Sequence, residues 1–217
     1  MRPRPDLRVY LVTDPRLPAS ELLDRVAAAA RSGATIVQLR HKGGDLATLV
    51  AAGRALRAVL DPLGVPLIVN DSVEAAVAVG AAGVHLGQSD GPPADARARL
   101  GDRAVIGLSL ERLADIATAD PAVVDYVAAS PVFATPTKAD IAPPLGLAGV
   151  RAIRSALPLP LVGIGGIDAG NAADVIAAGA DGVAVVSAIL AAADSGLATA
   201  GLRRAVDAAL SAAGRAP

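Results

Sequence analysis

The sequence alternates between short aliphatic runs and longer Ala-rich segments, and this alternation limits the folds open to it. The runs are rich in Val, Ile and Leu, as expected for parallel strands that are buried on both faces. Eight of them can be recognised: VYLVT at 9–13, TIVQLR at 35–40, PLIVND at 66–71, GVHLG at 83–87, AVIGLS at 104–109, DYVAASPV at 125–132, PLVGIGGI at 160–167 and GVAVVS at 182–187.

The segments between these runs have apolar residues at helical spacing and close with glycine, as in SELLDRVAAAARSG at 20–33 and DLATLVAAGRALRAVLDPLG at 45–64. Strands that alternate with helices predict right-handed crossovers and a parallel sheet. Eight such units in 217 residues indicate an α/β protein, a single-domain TIM (β/α)8 barrel with its core at about 8–213. A doubly wound open sheet is the alternative architecture.

Charge and composition exclude several classes of function. A net charge of -1 does not favour nucleic-acid binding, and the absence of cysteine excludes disulfides and thiolate metal sites. The first residues lack the apolar segment of a secretion signal, and no charge-free run approaches the length of a membrane span. We therefore expect a cytoplasmic protein with neither nucleic-acid nor membrane partners.

Polar residues follow the aliphatic runs, where a TIM barrel has its active site. Glutamine and lysine each occur only twice in the chain, and three of these four residues belong to this set. A single one could be a solvated loop residue, but together they predict one polar barrel mouth. The residues are Gln38, Arg40 and Lys42 after strand two, Asn70 and Asp71 after strand three, Asp90 after strand four, Ser109 at the end of strand five, and Thr135, Thr137 and Lys138 after strand six.

Asp71 and Asp90 follow adjacent predicted strands, so their carboxylates can meet across the mouth. Two carboxylates, completed by water and substrate oxygens, are a common way to hold Mg2+. The alternative is that Asp71 caps the next helix and Asp90 shapes the turn before Pro92 and Pro93. Spacing alone leaves both open, and the nearby cations favour a site for a metal and a diphosphate.

Glycines 163, 165 and 166 end strand seven, and Ser187 ends strand eight. The loops after these two strands commonly form a phosphate site in TIM barrels, although a purely structural glycine turn is the alternative. His85 lies inside a predicted strand and is expected to be packed, whereas His41 is expected to face solvent or a diphosphate. Two separated histidines without cysteine argue against a hydrolytic triad or a zinc enzyme.

The motifs QLRHK, VND, GVHLGQSD, GLS, TPTK, VGIGGI and VVS occur in this order at successive strand ends. In this series the chain resembles the thiamine phosphate synthase family over residues 10–189. The resemblance implies a Mg2+-dependent transferase of thiamine biosynthesis, in which a homodimer is possible. Such an enzyme joins a hydroxymethylpyrimidine diphosphate to a hydroxyethylthiazole phosphate and releases pyrophosphate.

The resemblance also implies a role for each matching residue. Those that would contact the pyrimidine diphosphate are Gln38, Arg40, Lys42, Asn70, Ser109 and Lys138, of which Arg40, Lys42, Ser109 and Lys138 would be catalytic. Those that would bind the thiazole phosphate are Thr135, Thr137, Gly166, Val186 and Ser187. The ligands of Mg2+ would be Asp71 and Asp90.

The chain departs from the family pattern at three places. His41 occupies a position that is often acidic, Ser130 replaces a common glycine, and no histidine follows Ser109. In the related thiazole tautomerase a histidine in this last region is expected to move protons, so its absence favours the synthase over a tautomerase-like barrel. A non-catalytic protein that binds the thiazole phosphate or thiamine phosphate is the third hypothesis.

Overall fold

The computed structural model describes residues 4–135 and 142–215 and contains a closed barrel of eight parallel strands in chain order. The strands, β1 to β8, are Val9–Val12, Ile36–Leu39, Leu67–Asn70, Gly83–Leu86, Val105–Leu110, Tyr126–Ala129, Leu161–Ile164 and Gly182–Val185. Each lies within or at the edge of one predicted aliphatic run, and β8 pairs with β1 to close the barrel. The TIM-barrel prediction is confirmed, and the open-sheet alternative is wrong.

Helices surround the barrel. These are α1 to α8, at Ala19–Arg31, Leu46–Leu60, Val73–Val79, Pro93–Leu100, Gly146–Ala156, Ala172–Ala177, Ser187–Leu190 and Ser195–Ala212. After β5 a 3-10 helix, Leu113–Thr118, stands where the other strands are followed by an α-helix. A second 3-10 helix, Asp61–Leu63, extends α2.

Side chains at the helix starts explain several of these boundaries. Asp45 and Asp194 accept hydrogen bonds from the backbone N–H groups of Thr48 and Leu197, which lie in the first turns of α2 and α8. At α3 the cap is Ser72, whose hydroxyl accepts from the N–H of Ala75 at 3.1 Å. The alternative that Asp71 caps this helix is therefore wrong.

The core has two layers. One lies between the barrel and its helices and consists of aliphatic side chains. The other fills the barrel interior and includes Tyr10 and Tyr126, the only tyrosines of the chain. Both tyrosines are almost completely buried. Both tyrosines therefore lie beneath the barrel mouth, whereas Phe133, the third aromatic residue, packs against the outer layer.

No helix within residues 4–135 and 142–215 combines the length and the apolar character needed to cross a membrane.

Candidate active site

A cavity of about 660 Å3 opens at the carboxyl ends of the strands. All the predicted site residues that the structure describes line it: Gln38, Arg40, Lys42, Asn70, Asp71, Asp90, Ser109, Thr135, Gly166, Val186 and Ser187. Thr137 and Lys138 lie outside the described residues. The barrel topology thus brings together, in one cavity, residues that are up to about 150 positions apart in the chain.

The cations of the mouth follow β2. Thr13 holds the backbone there, because its hydroxyl accepts from the N–H of Arg40 at 2.9 Å and donates to the carbonyl oxygen of Arg40 at 3.3 Å. Neither Arg40 nor Lys42 forms an ion pair with another residue in the described part of the chain. Both remain close enough to Asp71 for their charges to act on its carboxyl group.

Asp71 and Asp90 form a pair of carboxyl groups within hydrogen-bonding reach of each other. Burial, and then the hydrogen bond and negative charge of Asp90, raise the pKa of Asp71 to about 7, whereas the charges of Lys42 and Arg40 lower it. When both carboxyl groups are ionised, they repel each other in this half-buried place. A bound cation would relieve this repulsion.

The backbone at Asp71 is also unusual, with a φ of 64° that non-glycine residues seldom adopt. Two hydrogen bonds impose it: the Asp71 N–H donates to the carbonyl oxygen of His85 at 2.8 Å, and the Ser72 N–H donates to that of Asn70 at 2.7 Å. Backbone strain of this kind is concentrated at functional sites. The tight turn aims a carboxyl group at the cavity at a cost to the fold.

Asp90 shapes its own turn as well. Its Oδ2 accepts from the backbone N–H of Gly87 at 2.7 Å, so the structural role considered for Asp90 is confirmed. Within residues 4–135 and 142–215 no cluster of three or more His, Cys, Asp or Glu could hold a metal ion. Two carboxylates suit Mg2+, which keeps several waters and also binds substrate phosphates.

The glycine loop after β7 is needed by the fold and also lines the cavity. Gly165 and Gly166 have φ values of 102° and 64°. A side chain on Gly165 would approach Pro131, and one on Gly166 would lie 2.6 Å from the carbonyl oxygen of Ala134. Only glycine allows this close packing against the segment after β6. After the neighbouring strand β8, Ser187 begins the short helix α7 and also lines the cavity.

Below the mouth, a chain of hydrogen bonds crosses the barrel interior from Gln38 through Tyr10, Tyr126 and His85 to Ser109. His85 is buried, as expected from its place in a strand. Burial lowers the pKa of His85 to about 4, although the negative charge of Asp90 acts in the opposite direction. The imidazole is therefore neutral near pH 7.

Some cavity-lining residues were not predicted as site residues, among them Tyr10, His85, Glu111 and Asp168. Tyr10 alternates with Val12 along β1, and this spacing of two is the signal that could have placed it inside the barrel. His41 is not among the lining residues. It packs against Gly44, and its Nδ1 has no hydrogen-bond partner in the described part of the chain.

A model of the family described as thiamine monophosphate synthase matches residues 9–189. The chain belongs to this family. Among its relatives, the thiamine-phosphate synthase of Xanthobacter autotrophicus is 56% identical over 187 residues, which are 85% of this chain and 89% of the relative. That of Albidiferax ferrireducens is 50% identical over 203 residues, which are 93% of each chain.

The comparison with solved structures supports the same family assignment. A thiamine phosphate pyrophosphorylase from Pyrococcus furiosus superimposes with a TM-score of 0.85 at 36% identity, covering 95% of this chain and 98% of its own. An orotidine 5'-phosphate decarboxylase from Pyrococcus horikoshii, at 15% identity and a TM-score of 0.68, covers 90% of this chain and 98% of its own and shares the fold alone. The prediction of a synthase, a transferase of thiamine biosynthesis, is confirmed, and neither the tautomerase-like nor the non-catalytic hypothesis is favoured.

Proposed function

We propose that this barrel joins a 4-amino-2-methyl-5-hydroxymethylpyrimidine diphosphate to a hydroxyethylthiazole phosphate, forming thiamine phosphate and releasing pyrophosphate with the help of Mg2+. The observation that carries the proposal is the charge arrangement at the mouth. Arg40 and Lys42 lie on one side of a carboxylate pair, Asp71 and Asp90, and all four line one cavity. A diphosphate with a divalent cation needs both kinds of group.

The positive charges of the cavity would stabilise pyrophosphate, the leaving group of the reaction. When pyrophosphate departs from the methylene carbon of the pyrimidine, the bond electrons move to the diphosphate oxygen, and the electron-rich aminopyrimidine stabilises the positive carbon. Arg40 and Lys42 then stabilise a charge that is larger in the transition state than in the bound substrate, which accelerates the reaction. Lys138 would add to this field by the family resemblance, and Ser109 would contact the same substrate.

The two carboxylates would hold the metal. Mg2+ bound to Asp71 and Asp90 would supply further positive charge to the diphosphate. Two features fit a cation in this place: the two carboxyl groups lie next to each other, and the backbone at Asp71 is strained. Gln38 and Asn70 would orient the pyrimidine ring from the barrel side of the cavity.

The second substrate would bind on the opposite side, near the loops after β6, β7 and β8. Thr135, Gly166, Val186 and Ser187 line this side, and Thr137 would join them by the family resemblance. In TIM barrels the loops after strands seven and eight commonly bind a phosphate through backbone N–H groups, so the backbone at Gly166 and Ser187 would supply donors here. The thiazole nitrogen attacks with its own lone pair and needs no general base, so positioning is the main requirement.

The proposal is tested by incubating both substrates with and without Mg2+ and measuring thiamine phosphate and pyrophosphate. We expect equal amounts of both products, and only when the metal is present. Thiazole isomerisation without coupling would indicate a tautomerase, and ligand binding without turnover would indicate a binding protein. No product under any metal condition would contradict the proposal. A homodimer and a cytoplasmic location stay predictions.

A further inference from the structure

The hydrogen-bonded chain inside the barrel connects two residues that line the cavity. The Gln38 Nε2 donates to the hydroxyl of Tyr10 at 2.8 Å, and the hydroxyls of Tyr10 and Tyr126 lie 2.9 Å apart. The Tyr126 hydroxyl lies 2.9 Å from Nδ1 of His85, and Nε2 of His85 lies 2.9 Å from Oγ of Ser109. Tyr10, Tyr126 and His85 are buried, so each depends on its neighbours in this chain for hydrogen bonds.

The register of three strands brings the side chains of His85 and Tyr126 into contact. His85, Gly107 and Tyr126 lie side by side on β4, β5 and β6, in register. A side chain on Gly107 would collide with the Tyr126 ring and would lie 2.5 Å from Nδ1 of His85. Because Gly107 has none, the two rings meet across β5 with their centroids 5.5 Å apart. The missing side chain thus makes the bond between Tyr126 and His85 possible.

The hydrogen bonds from Gln38 to Ser109 all run in one direction, from donor to acceptor. A tyrosine hydroxyl has one proton to donate, and a neutral imidazole has one N–H. Because Gln38 donates to Tyr10, Tyr10 donates its own proton to Tyr126, and Tyr126 donates to Nδ1 of His85. His85 then carries its proton on Nε2 and donates to Ser109. In the opposite direction, the Tyr10 proton would have no acceptor in a buried place, which is costly.

The hydrogen bonds of His85 fit a ring with one N–H. With Tyr126 donating to Nδ1, the ring carries its proton on Nε2, where Ser109 accepts it. A doubly protonated ring would have to donate from Nδ1 as well, and Tyr126 could then not donate to it.

We propose that Tyr10, Tyr126 and His85 are positioning residues that fix the hydrogen-bonding polarity of the cavity. Gln38 is held with its carbonyl oxygen free for a ligand, and Ser109 is held with its hydroxyl proton free for a ligand. This inference rests on the proposed function. An aminopyrimidine has an amino group that can donate to Gln38, and its ring nitrogens and diphosphate offer acceptors to Ser109.

The same polarity would select against a pyrimidine that carries an oxo group in place of the amino group. Its carbonyl oxygen would face the carbonyl oxygen of Gln38, so an acceptor would meet an acceptor. A site that is built to bind one hydrogen-bonding pattern rejects the opposite pattern, because buried polar groups are then left without partners.

Tyr126→Phe tests this selection, because it removes the central hydroxyl at nearly constant volume. In the variant the Tyr10 proton has lost its acceptor and can turn toward Gln38, whose amide is then free to present its N–H groups to the cavity. The probes are the diphosphates of the 4-amino and the 4-oxo pyrimidine. Their binding is measured by calorimetry without the thiazole phosphate, so that no turnover occurs.

We expect the wild type to bind the amino probe at least about tenfold more tightly than the oxo probe. In Tyr126→Phe this ratio should fall close to one, while the KM for the thiazole phosphate stays unchanged. Thr199→Val is the matched control, because it removes another buried hydroxyl, one that donates to the carbonyl oxygen of Ser195 within α8. It should keep the wild-type ratio.

A folded Tyr126→Phe that keeps the wild-type ratio, or a wild type without preference, would overturn the proposal. A second measurement needs no variant: nitrogen-15 spectra of the wild type at pH 7 should show His85 protonated on Nε2 alone, and a proton on Nδ1 would overturn it as well. If the wild type makes thiamine phosphate, only the polarity proposal is at stake. A wild type that makes none and binds neither probe would contradict both proposals.

Discussion

At the amino ends of the strands, two arginine–aspartate pairs are bound to each other and to the backbone, whereas at the carboxyl ends Arg40, Asp71 and Asp90 line a cavity. Arg97 of α4 donates to Asp125 at 2.6 Å and to the carbonyl oxygens of Gly101, Ala104 and Val123. Asp125, just before β6, also accepts from the N–H of Ile106 in β5 at 2.8 Å. Each charge here is used to join a helix, a loop and two strands.

The same device recurs two strands later. Arg154 of α5 donates to Asp181 at 2.6 Å and to the carbonyl oxygen of Gly179 at 2.9 Å. Asp181, just before β8, accepts from the N–H of Leu161 in β7 at 2.8 Å. We call these two arrangements the base clamps, Arg97–Asp125 and Arg154–Asp181.

At the mouth the arrangement is the reverse. Two carboxyl groups, Asp71 and Asp90, lie next to each other, and one of them stands on a backbone with a φ of 64°. Arg40 and Lys42 are near but form no ion pair with a described residue. Charges left in this state are available to a ligand, and the fold gives up some stability for them. The comparison teaches that base charges serve folding and mouth charges serve binding.

The largest expected effect comes from neutralising the mouth pair with Asp71→Asn and Asp90→Asn together. Asparagine tolerates a positive φ, and at position 90 it keeps an acceptor for the Gly87 N–H. We expect the rate of thiamine phosphate formation at moderate Mg2+ to fall about 10^3-fold, because charge stabilisation by a metal is worth several kcal/mol. Urea unfolding should show unchanged or greater stability.

Asp95→Asn with Asp102→Asn is the matched control, since it removes two exposed carboxylates and changes the net charge equally. Its rate should stay near that of the wild type. A mouth variant that works at a normal rate would show that Asp71 and Asp90 are not the metal ligands. One that is strongly destabilised would show that mouth charges also serve folding.

The second expected effect is a difference in unfolding free energy between variants of the two base clamps. In the first clamp the side chains of Arg97 and Asp125 are 12% and 5% exposed, and in the second those of Arg154 and Asp181 are 31% and 29% exposed. Arg97→Met removes the guanidinium that is paired with the buried carboxylate of Asp125 and should cost about 3 kcal/mol of unfolding free energy. Arg154→Met should cost about 1 kcal/mol or less, because Asp181 is more exposed to water and keeps Arg215 at 3.6 Å as a second cation.

Urea unfolding measures both costs, and the rate per folded molecule should stay at the wild-type level in both variants. Equal costs would mean that neither burial nor the second cation at Asp181 decides the strength of a base clamp. A loss of rate without loss of stability in Arg97→Met would contradict the division between base and mouth.

The sequence was sufficient for the barrel and for most of the cavity lining, and the reason is topological. Parallel strands place all their carboxyl ends at one edge, so Gln38 and Ser187 could be assigned to one mouth without any knowledge of their distance. Each residue only had to be recognised as the end of an aliphatic run.

The interior network could not be predicted in this way. In the sequence, Tyr10, His85 and Tyr126 are single residues inside three buried strands. Their contact depends on the strand register and on the space above Gly107. The cap of α3 is a second case, because adjacent Asp71 and Ser72 are both good capping residues. Only the backbone at Asp71, held by the N–H bond to His85, decides that Ser72 is the cap.

The smallest effect concerns His85, whose ring lies between mouth and interior. Its pKa is about 4 in the folded protein against an ordinary value of 6.5, so the unfolded chain takes up a proton first as the pH falls. The stability that comes from the neutral ring is complete above about pH 6.5 and is lost as the pH falls toward 4. Between pH 6.5 and 5 this loss amounts to about 1.5 kcal/mol.

Asp71 acts in the opposite sense in the same range, because its folded pKa of about 7 lies above its ordinary value of 3.8, so that protonation stabilises the folded protein. Comparison with His85→Gln removes this contribution, since Asp71 is present in both proteins. The unfolding free energy of the wild type should fall by about 1.5 kcal/mol more than that of His85→Gln between pH 6.5 and 5. Parallel curves would mean that the imidazole is protonated as easily inside the barrel as in water, and the neutral network would then be wrong.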